Sequence, residues 1–267
     1  MIDVLLATYR PDPAMLREQV DSIRGQKGVD VNLIRREDEA GAGAAANFSA
    51  LLAESKAPYV AFSDQDDVWL PEKLAKLQAR MLEMEARYGR ETPCLVFCDS
   101  VLVDAGLKVL EPSFLRAARL DPARLKFRQL VLQNVPSGHQ MLINAALRRL
   151  CAPIPPEAVM HDHWISLIAA RRGRIEFLDE QLVLYRQHGR NVFGGRKVGL
   201  RYFLFRIGQG VRALRERLYR NFRQAALLLP ALRGFERRNW FVRRYLVFRY
   251  GLFKSGLLRN LGTWIVL

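Results

Sequence analysis

Four short apolar runs constrain this chain more than any other feature: Asp3-Val4-Leu5-Leu6-Ala7, Val31-Asn32-Leu33-Ile34, Tyr59-Val60-Ala61-Phe62 and Leu95-Val96-Phe97-Cys98. Between them lie segments whose apolar residues recur every three or four positions. These are residues 13–25 (Leu16, Val20, Ile23), which stop at Gly25, residues 44–54, and the long stretch 70–88, which stops at Gly89. Runs this short are strand-length, and the wider spacing is helical. Strands alternating with helices predict an α/β fold with a largely parallel sheet covered on both faces. Further along, the pattern predicts a hairpin around Ala105-Gly106, a strand entering a helix over residues 140–144, a helix over 163–171 and a strand over 175–178.

The third run ends in Ser63-Asp64-Gln65-Asp66-Asp67. Loops at strand ends aim polar groups into a crevice without disturbing the core, which is why open α/β sheets bind ligands there. Three neighbouring carboxylates repel one another and raise their own pKa values. A divalent cation bridging to a phosphate removes that cost, and Mg²⁺ binds through one or two carboxylates plus substrate phosphates. Asp64 and Asp66 are therefore read as a metal–phosphate site. Asp67 is read as the cap of a helix beginning near Leu70-Pro71-Glu72, because Asp caps well and Pro suits a first helical turn.

Charge divides the chain. The formal net charge is +15, and residues 196–267 carry 17 Lys and Arg against 2 Asp and Glu, so residues 1–195 are balanced. In that tail Leu200, Leu204, Ile207, Val211, Leu214, Leu218 and Phe222 recur at helical spacing, with Arg212, Arg215, Arg220 and Arg223 largely on another face and Pro230 as the stop. A second basic segment adds Trp240, Tyr245, Phe248, Tyr250, Phe253 and Trp264. Such a tail suits nucleic acid, an anionic membrane interface or a solvated face packed on the rest of the chain. The aromatics sit with the apolar residues, which favours the membrane, and the acid cluster has the wrong sign for nucleic acid. Cys94, Cys98 and Cys151 lack metal-like spacing and are odd in number, so core thiols in a reducing compartment are expected. Met1-Ile2-Asp3 shows no signal-peptide pattern, and no run reaches the roughly 18 apolar residues of a spanning helix. The expected location is cytoplasmic, peripheral on the inner face of the cell membrane.

Five stretches occur in one order over residues 2 to about 195: Leu5-Leu6-Ala7-Thr8-Tyr9, Gly43-Ala44-Ala45-Ala46-Asn47-Phe48, Asp64-Gln65-Asp66-Asp67-Val68-Trp69-Leu70-Pro71, His161-Asp162-His163-Trp164 and Tyr185-Arg186-Gln187-His188-Gly189-Arg190-Asn191. With them the chain resembles family 2 glycosyltransferases of the GT-A fold, particularly bacterial rhamnosyltransferases of surface polysaccharide and O-antigen assembly. The resemblance implies a GT-A catalytic domain over residues 1–195, Rossmann-like with a mostly parallel sheet, and a basic amphipathic membrane-associating region over residues 196–267. It implies an inverting transfer of a sugar, with rhamnose from dTDP-rhamnose as the suggested donor, onto a lipid-linked saccharide, assisted by Mg²⁺ or Mn²⁺.

Roles carry over with the motifs. Asp66 holds the metal, joined by His188, while Asp64 faces the donor's ribose or base. Thr8, Tyr9, Asn47, Gln65 and Asn191 complete the donor site, with Arg190 toward the diphosphate. Asp162 is the catalytic base that takes the acceptor proton, and Gly138, His161 and Trp164 line the acceptor and sugar pocket. On the residues alone each has a plainer reading: a strand-end turn for Thr8 and Tyr9, a polar helix residue for Asn47, a helix cap or metal site for His161-Asp162-His163, a solvated loop residue for His188. His139-Gln140 stands where relatives carry smaller residues. One departure is larger. Relatives place a helix–strand unit between the second strand and the Gly-Ala-Ala-x-Asn helix, whereas here Ile34 leads through Arg35-Arg36-Glu37-Asp38-Glu39 to Ala40-Gly41 almost at once. Glu37 and Asp38 are the remaining stand-ins for an acid that grips the base, and weakened nucleotide binding is expected. A non-catalytic assembly partner of the same fold is the rival reading.

Overall fold

A computed structural model describes residues 1–38, 41–187 and 210–256, together with residues 260, 263, 264 and 267. The predicted alternation is present. Strand β1 (Ile2–Thr8) leads to helix α1 (Pro13–Arg24), β2 (Val31–Glu37), α2 (Ala44–Glu54) and β3 (Tyr59–Ser63). A two-residue β4 (Val68–Trp69) precedes α3 (Lys73–Tyr88), β5 (Cys94–Val103) and β6 (Val109–Glu111). Short helices α4 (Phe114–Ala117) and α5 (Phe127–Leu130) come before β7 (Met141–Asn144), α6 (Ala145–Cys151), α7 (His161–Arg172) and β8 (Arg174–Arg186). Two further helices follow, α8 (Gly210–Leu228) and α9 (Trp240–Arg249).

Among the described residues the strands form one sheet in the order β2-β1-β3-β7-β5-β8-β4, with β6 paired to β5. Both faces are covered, so successive residues point into alternate cores. Val60 and Phe62 of β3 join one cluster and Tyr59 and Ala61 the other; Leu95 and Phe97 of β5 likewise oppose Cys94, Val96 and Cys98. This explains why the strands read as continuous apolar runs rather than as alternating ones. All three cysteines are buried and unpaired.

The sheet is mixed where a largely parallel one was expected. β1 runs parallel to β2 and β3, and β5 parallel to β8, but β7 is antiparallel to both β3 and β5 and β4 is antiparallel to β8. A parallel partner needs a crossover that carries the chain back along the sheet. Residues 112–140 contain only two four-residue helices and the 3₁₀ turn Gly138–Gln140, and make no such crossover. The chain therefore re-enters the sheet at the end where β5 left it. The consequence is functional: the register Ala61↔Leu142 sets the segment before Met141 beside the end of β3.

The departure after β2 also has a structural outcome. The N–H of Asp38 donates to the carbonyl of Thr8 at 2.8 Å. Its carboxylate accepts from the N–H groups of Ala42 at 2.8 Å and Gly43 at 2.6 Å. Asp38 is thus spent on closing the turn into α2, where Gly43 has φ +91°. Glu37, at the end of the edge strand, pairs with Arg35.

Helices α8 and α9 pack on the sheet domain. Leu218, Phe222, Ala225, Leu246 and Val247 share one apolar cluster with Trp164, Ile165 and Ile168 of α7. The chain beyond α9 is strapped down where Arg124 donates to the Phe253 carbonyl at 2.7 Å and Ser255 N–H to Gln133 Oε1 at 2.8 Å. Leu200, Leu204 and Ile207, expected on the first basic helix, lie outside the described residues. No helix among the described residues is long and apolar enough to cross a membrane.

Candidate active site

The C-terminal ends of β1, β3 and β8, the start of β7 and the first turn of α7 supply one group of polar residues. At its centre Asp64, Asp67 and His139 each offer one ligand atom, all within 4.8 Å of one another. Asp67 is completely buried. One of its carboxylate oxygens accepts from the Arg186 N–H at 3.2 Å, and the other has no hydrogen-bond partner. Burial, then the charges of Asp64 and Asp66, pushes its pKa well above the ordinary carboxylate range. Asp64 is pushed up by desolvation and by Asp66 and Asp162.

His139 sits on the 3₁₀ turn Gly138–Gln140 that the antiparallel β7 brings to this end of the sheet. Its ring stacks on Tyr185 at 4.3 Å, Nε2 lies 3.0 Å from Ser100 Oγ, and Nδ1 lies 3.8 Å from Asp64 Oδ2. Burial holds its pKa down to about 3, so the ring is neutral. With the proton on Nε2, donated to Ser100, the Nδ1 lone pair faces the carboxylates, the arrangement a metal-binding imidazole requires. Two carboxylates, an orphaned buried oxygen and a neutral imidazole together fit a divalent cation, and the nitrogen suits Mn²⁺ as well as oxygen-preferring Mg²⁺.

Beneath the carboxylates lies a residue that sequence reasoning missed. Lys73 is fully buried in the first turn of α3. Its Nζ donates to the His139 carbonyl at 2.7 Å and stands 3.1 Å from the Trp69 ring centroid. Burial pulls its pKa down to about 7, against the opposing pull of Cys98, Asp67 and Asp64. A cation in a helix's first turn opposes the helix dipole, and that mismatch was the available signal. Arg186 is the second residue missed. It is buried, bonds Glu18 and the Ala105 carbonyl, and donates to the Asp66 carbonyl at 2.8 Å, clamping the acid loop.

Two expectations for the acid loop change. Asp67 caps no helix, since α3 begins at Lys73 after Glu72 and has no side-chain cap; the carboxylate turns inward instead. Asp66 is not one of the three converging residues, among which Asp67 and His139 accompany Asp64.

The remaining expected residues are placed as follows. Thr8 is buried, its hydroxyl donating to the Arg36 carbonyl at 3.3 Å. The Tyr9 ring is exposed beside Arg10. Gln65 accepts from the Tyr9 N–H at 2.7 Å and donates to the Tyr9 carbonyl at 3.2 Å, so it braces two loops. Asn47 donates to the Arg36 carbonyl at 3.2 Å and keeps a buried oxygen without a partner. Trp164, expected in the acceptor pocket, is a core residue whose indole N–H is spent on the Cys151 carbonyl at 3.2 Å. His188 and Asn191, with Arg190, lie outside the described residues.

Asp162 sits in the first turn of α7 and accepts from His163 N–H at 2.6 Å and Gly138 N–H at 3.3 Å. Burial raises its pKa to about 6 despite those bonds. His161, beside it, stacks on Phe48 at 3.8 Å, and neither ring nitrogen has a hydrogen-bond partner. A Cβ on Gly138 would meet His161 Nε2 at 2.5 Å. Only glycine fits there.

The architecture is that of the GT-A fold. Within it, residues 12–88 match the family model described as Glycosyl transferase family 2. Solved structures similar in fold include residues 1–349 of S. aureus TarS, with TM-score 0.51 and 16% identity over 69% of this chain and 60% of that one. The same protein in complex with UDP-GlcNAc gives TM-score 0.50 and 14% identity over 87% and 76%. The mannosyltransferase PcManGT from Pyrobaculum calidifontis, in complex with GDP-Man and Mn²⁺, gives TM-score 0.51 and 15% identity over 84% and 63%. The chain thus spans 60% of the length of the first of these. Comparison with curated proteins gives no match.

Proposed function

We propose that the chain is an inverting glycosyltransferase that moves a sugar from a nucleotide donor onto a lipid-linked saccharide. The observation that carries this reading is the pairing of two carboxylate environments in one site: a metal-competent cluster at Asp64, Asp67 and His139, and a separate carboxylate, Asp162, tuned to about 6. An inverting transfer needs both, one centre for the leaving diphosphate and one base for the attacking hydroxyl. A general base works best with its pKa near the working pH, and Asp162 has been moved toward that range by burial. A bound divalent cation would neutralise the departing diphosphate. Asp64, Asp67 and His139 would hold it, and Lys73 keeps the buried acids compatible before it binds. The match over residues 12–88, and the sugar nucleotides in the complexes of the two similar structures, support a nucleotide-sugar donor. Rhamnose from dTDP-rhamnose is the donor we would test first, on the motif resemblance. With Asp38 closing a turn and Glu37 paired to Arg35, the base-gripping acid is absent from the described residues, so nucleotide affinity is expected to be weak.

Membrane association belongs to the same proposal. On α9, Phe241, Tyr245 and Phe248 are 75%, 61% and 71% exposed and follow one helical stripe. Arg237, Arg238 and Arg249 are exposed around it. Exposed aromatics ringed by arginine are what an anionic lipid interface recruits. The apolar face of α8 expected to meet lipid is buried on the sheet domain at Leu218 and Phe222, so we propose the cytoplasmic face of the membrane as the working location with the exposed stripe of α9 as the attaching surface. The test is a turnover screen of the full chain across sugar nucleotides with Mg²⁺ and Mn²⁺. Metal-dependent release of a nucleoside diphosphate from one donor supports the reading, and no turnover of any donor supports the assembly-partner rival.

A further inference from the structure

Helix α8 sends one polar side chain deep into the molecule. Gln224 is fully buried, and both ends of its amide are spent beside α7. Its Oε1 accepts from the Val159 N–H at 3.0 Å, and its Nε2 approaches His163 Nδ1 at 2.7 Å. A backbone N–H only donates, so the amide oxygen must face Val159 and the amide nitrogen must face the ring. Nδ1 therefore accepts. The ring proton is left on Nε2, which lies 2.7 Å from the Leu130 carbonyl and can only donate to it. Each link in the chain from Val159 through Gln224 and His163 to Leu130 has a single solution, and it fixes one neutral tautomer.

This ring is next to the site. His163 follows Asp162 in the first turn of α7, and its own N–H donates to Asp162 Oδ1 at 2.6 Å. Gly138 N–H holds the other oxygen. A ring anchored on both nitrogens fixes the backbone that presents that N–H, and with it the direction of the carboxylate. We propose that Gln224 is a positioning residue for Asp162, so that the C-terminal helices complete the acceptor side of the site as well as carry it to a surface. The proposal rests on the reading of Asp162 as the base.

The test uses the full chain with ¹⁵N-labelled histidine. Wild-type His163 is expected to show a protonated Nε2 and an unprotonated Nδ1. In Gln224→Leu the Leu130 carbonyl should still hold the proton on Nε2, but the Nδ1 signal, stripped of its donor, and the His163 amide proton should both move. Donor turnover should then lose about tenfold in kcat, the scale of one buried hydrogen bond, with KM for the donor unchanged because Asp64, Asp67 and His139 are untouched. Gln224→Glu, nearly the same size, offers a carboxylate to Nδ1 and should add a second ring proton, which keeps the test open if the leucine variant fails to fold. A His163 ring that stays singly protonated in Gln224→Glu, with unmoved Nδ1 and amide signals in both variants, would overturn the proposal. So would a loss of kcat with those signals unchanged, which assigns Gln224 to packing alone. A wild-type chain that turns over no sugar nucleotide counts against the transferase reading only, and the two nitrogen signals still decide the positioning.

Discussion

Asp67, Lys73 and Arg186 of the sheet domain are all but completely buried, whereas Arg212, Arg215, Arg217, Arg220 and Arg223 of α8 stand in solvent. The sheet domain thus encloses charge and the C-terminal helices display it. Enclosing charge is expensive unless each group meets a partner, and the partners here converge on the acid loop, with Lys73 below it and Arg186 beside it. Displayed charge costs little and stabilises little, so the arginines of α8 are not what holds the fold together. The basic tail and the acid cluster are therefore solutions to different problems, and Gln224 is where the two regions meet.

The comparison can be broken at several points. The largest effect is expected from Asp162→Asn, which removes the proposed base while keeping its size. Turnover should fall by about 100- to 10,000-fold with an unchanged circular-dichroism spectrum. Lys73→Met tests the enclosed charge directly. It removes the bond to the His139 carbonyl and should destabilise the fold by about 2 kcal/mol, the scale of a hydrogen bond from a charged group, read by urea unfolding at neutral pH; an unchanged midpoint would mean the buried amine contributes nothing net. Gly138→Ala must push the His161 ring, next to Asp162, aside. A displacement near 1 Å costs roughly 100-fold in rate, so kcat should drop by that order while thermal stability changes less. The smallest effect belongs to the displayed side. Replacing Phe241, Tyr245 and Phe248 together by Ser should abolish flotation of the full chain with anionic vesicles and leave donor turnover in detergent unaltered.

Much of the frame was legible in the chain, and the limits have physical causes. β1, α1, α2 and β3 follow from apolar runs of strand length and from helical spacing, and α2 was expected over the residues it occupies. β4 is two residues long and carries no periodic signal. β8 extends well past Ile175-Glu176-Phe177-Leu178, which announced it, because the polar Asp179-Glu180-Gln181 interrupts the pattern before Val183, Leu184 and Tyr185 pair with Ser100, Val101 and Leu102. The direction of β7 was hidden, since direction depends on whether a connection crosses the sheet. That one unseen direction also hid His139, which reaches the acid loop only because β7 runs antiparallel. Asp64 was singled out by its place at a strand end, with the motif assigning it to the ribose or base where the structure sets it beside Asp67 and His139, and Asp162 was singled out by the resemblance. Lys73, Arg186 and Gln224 were not, because their roles arise from what surrounds them after folding.

The central claim is that Asp162, lifted by burial, acts as the base beside a metal-competent carboxylate cluster. A base works only when deprotonated, so kcat/KM for donor turnover should be level at neutral pH and fall as the pH drops through about 6, where half of Asp162 has taken up a proton. The measurement is that pH profile for the wild-type chain, with Asp162→Asn at each point. An acid limb near 6 that the variant lacks, on a strongly reduced rate, is the predicted result. A variant as active as wild type, or with the same limb, would contradict the account.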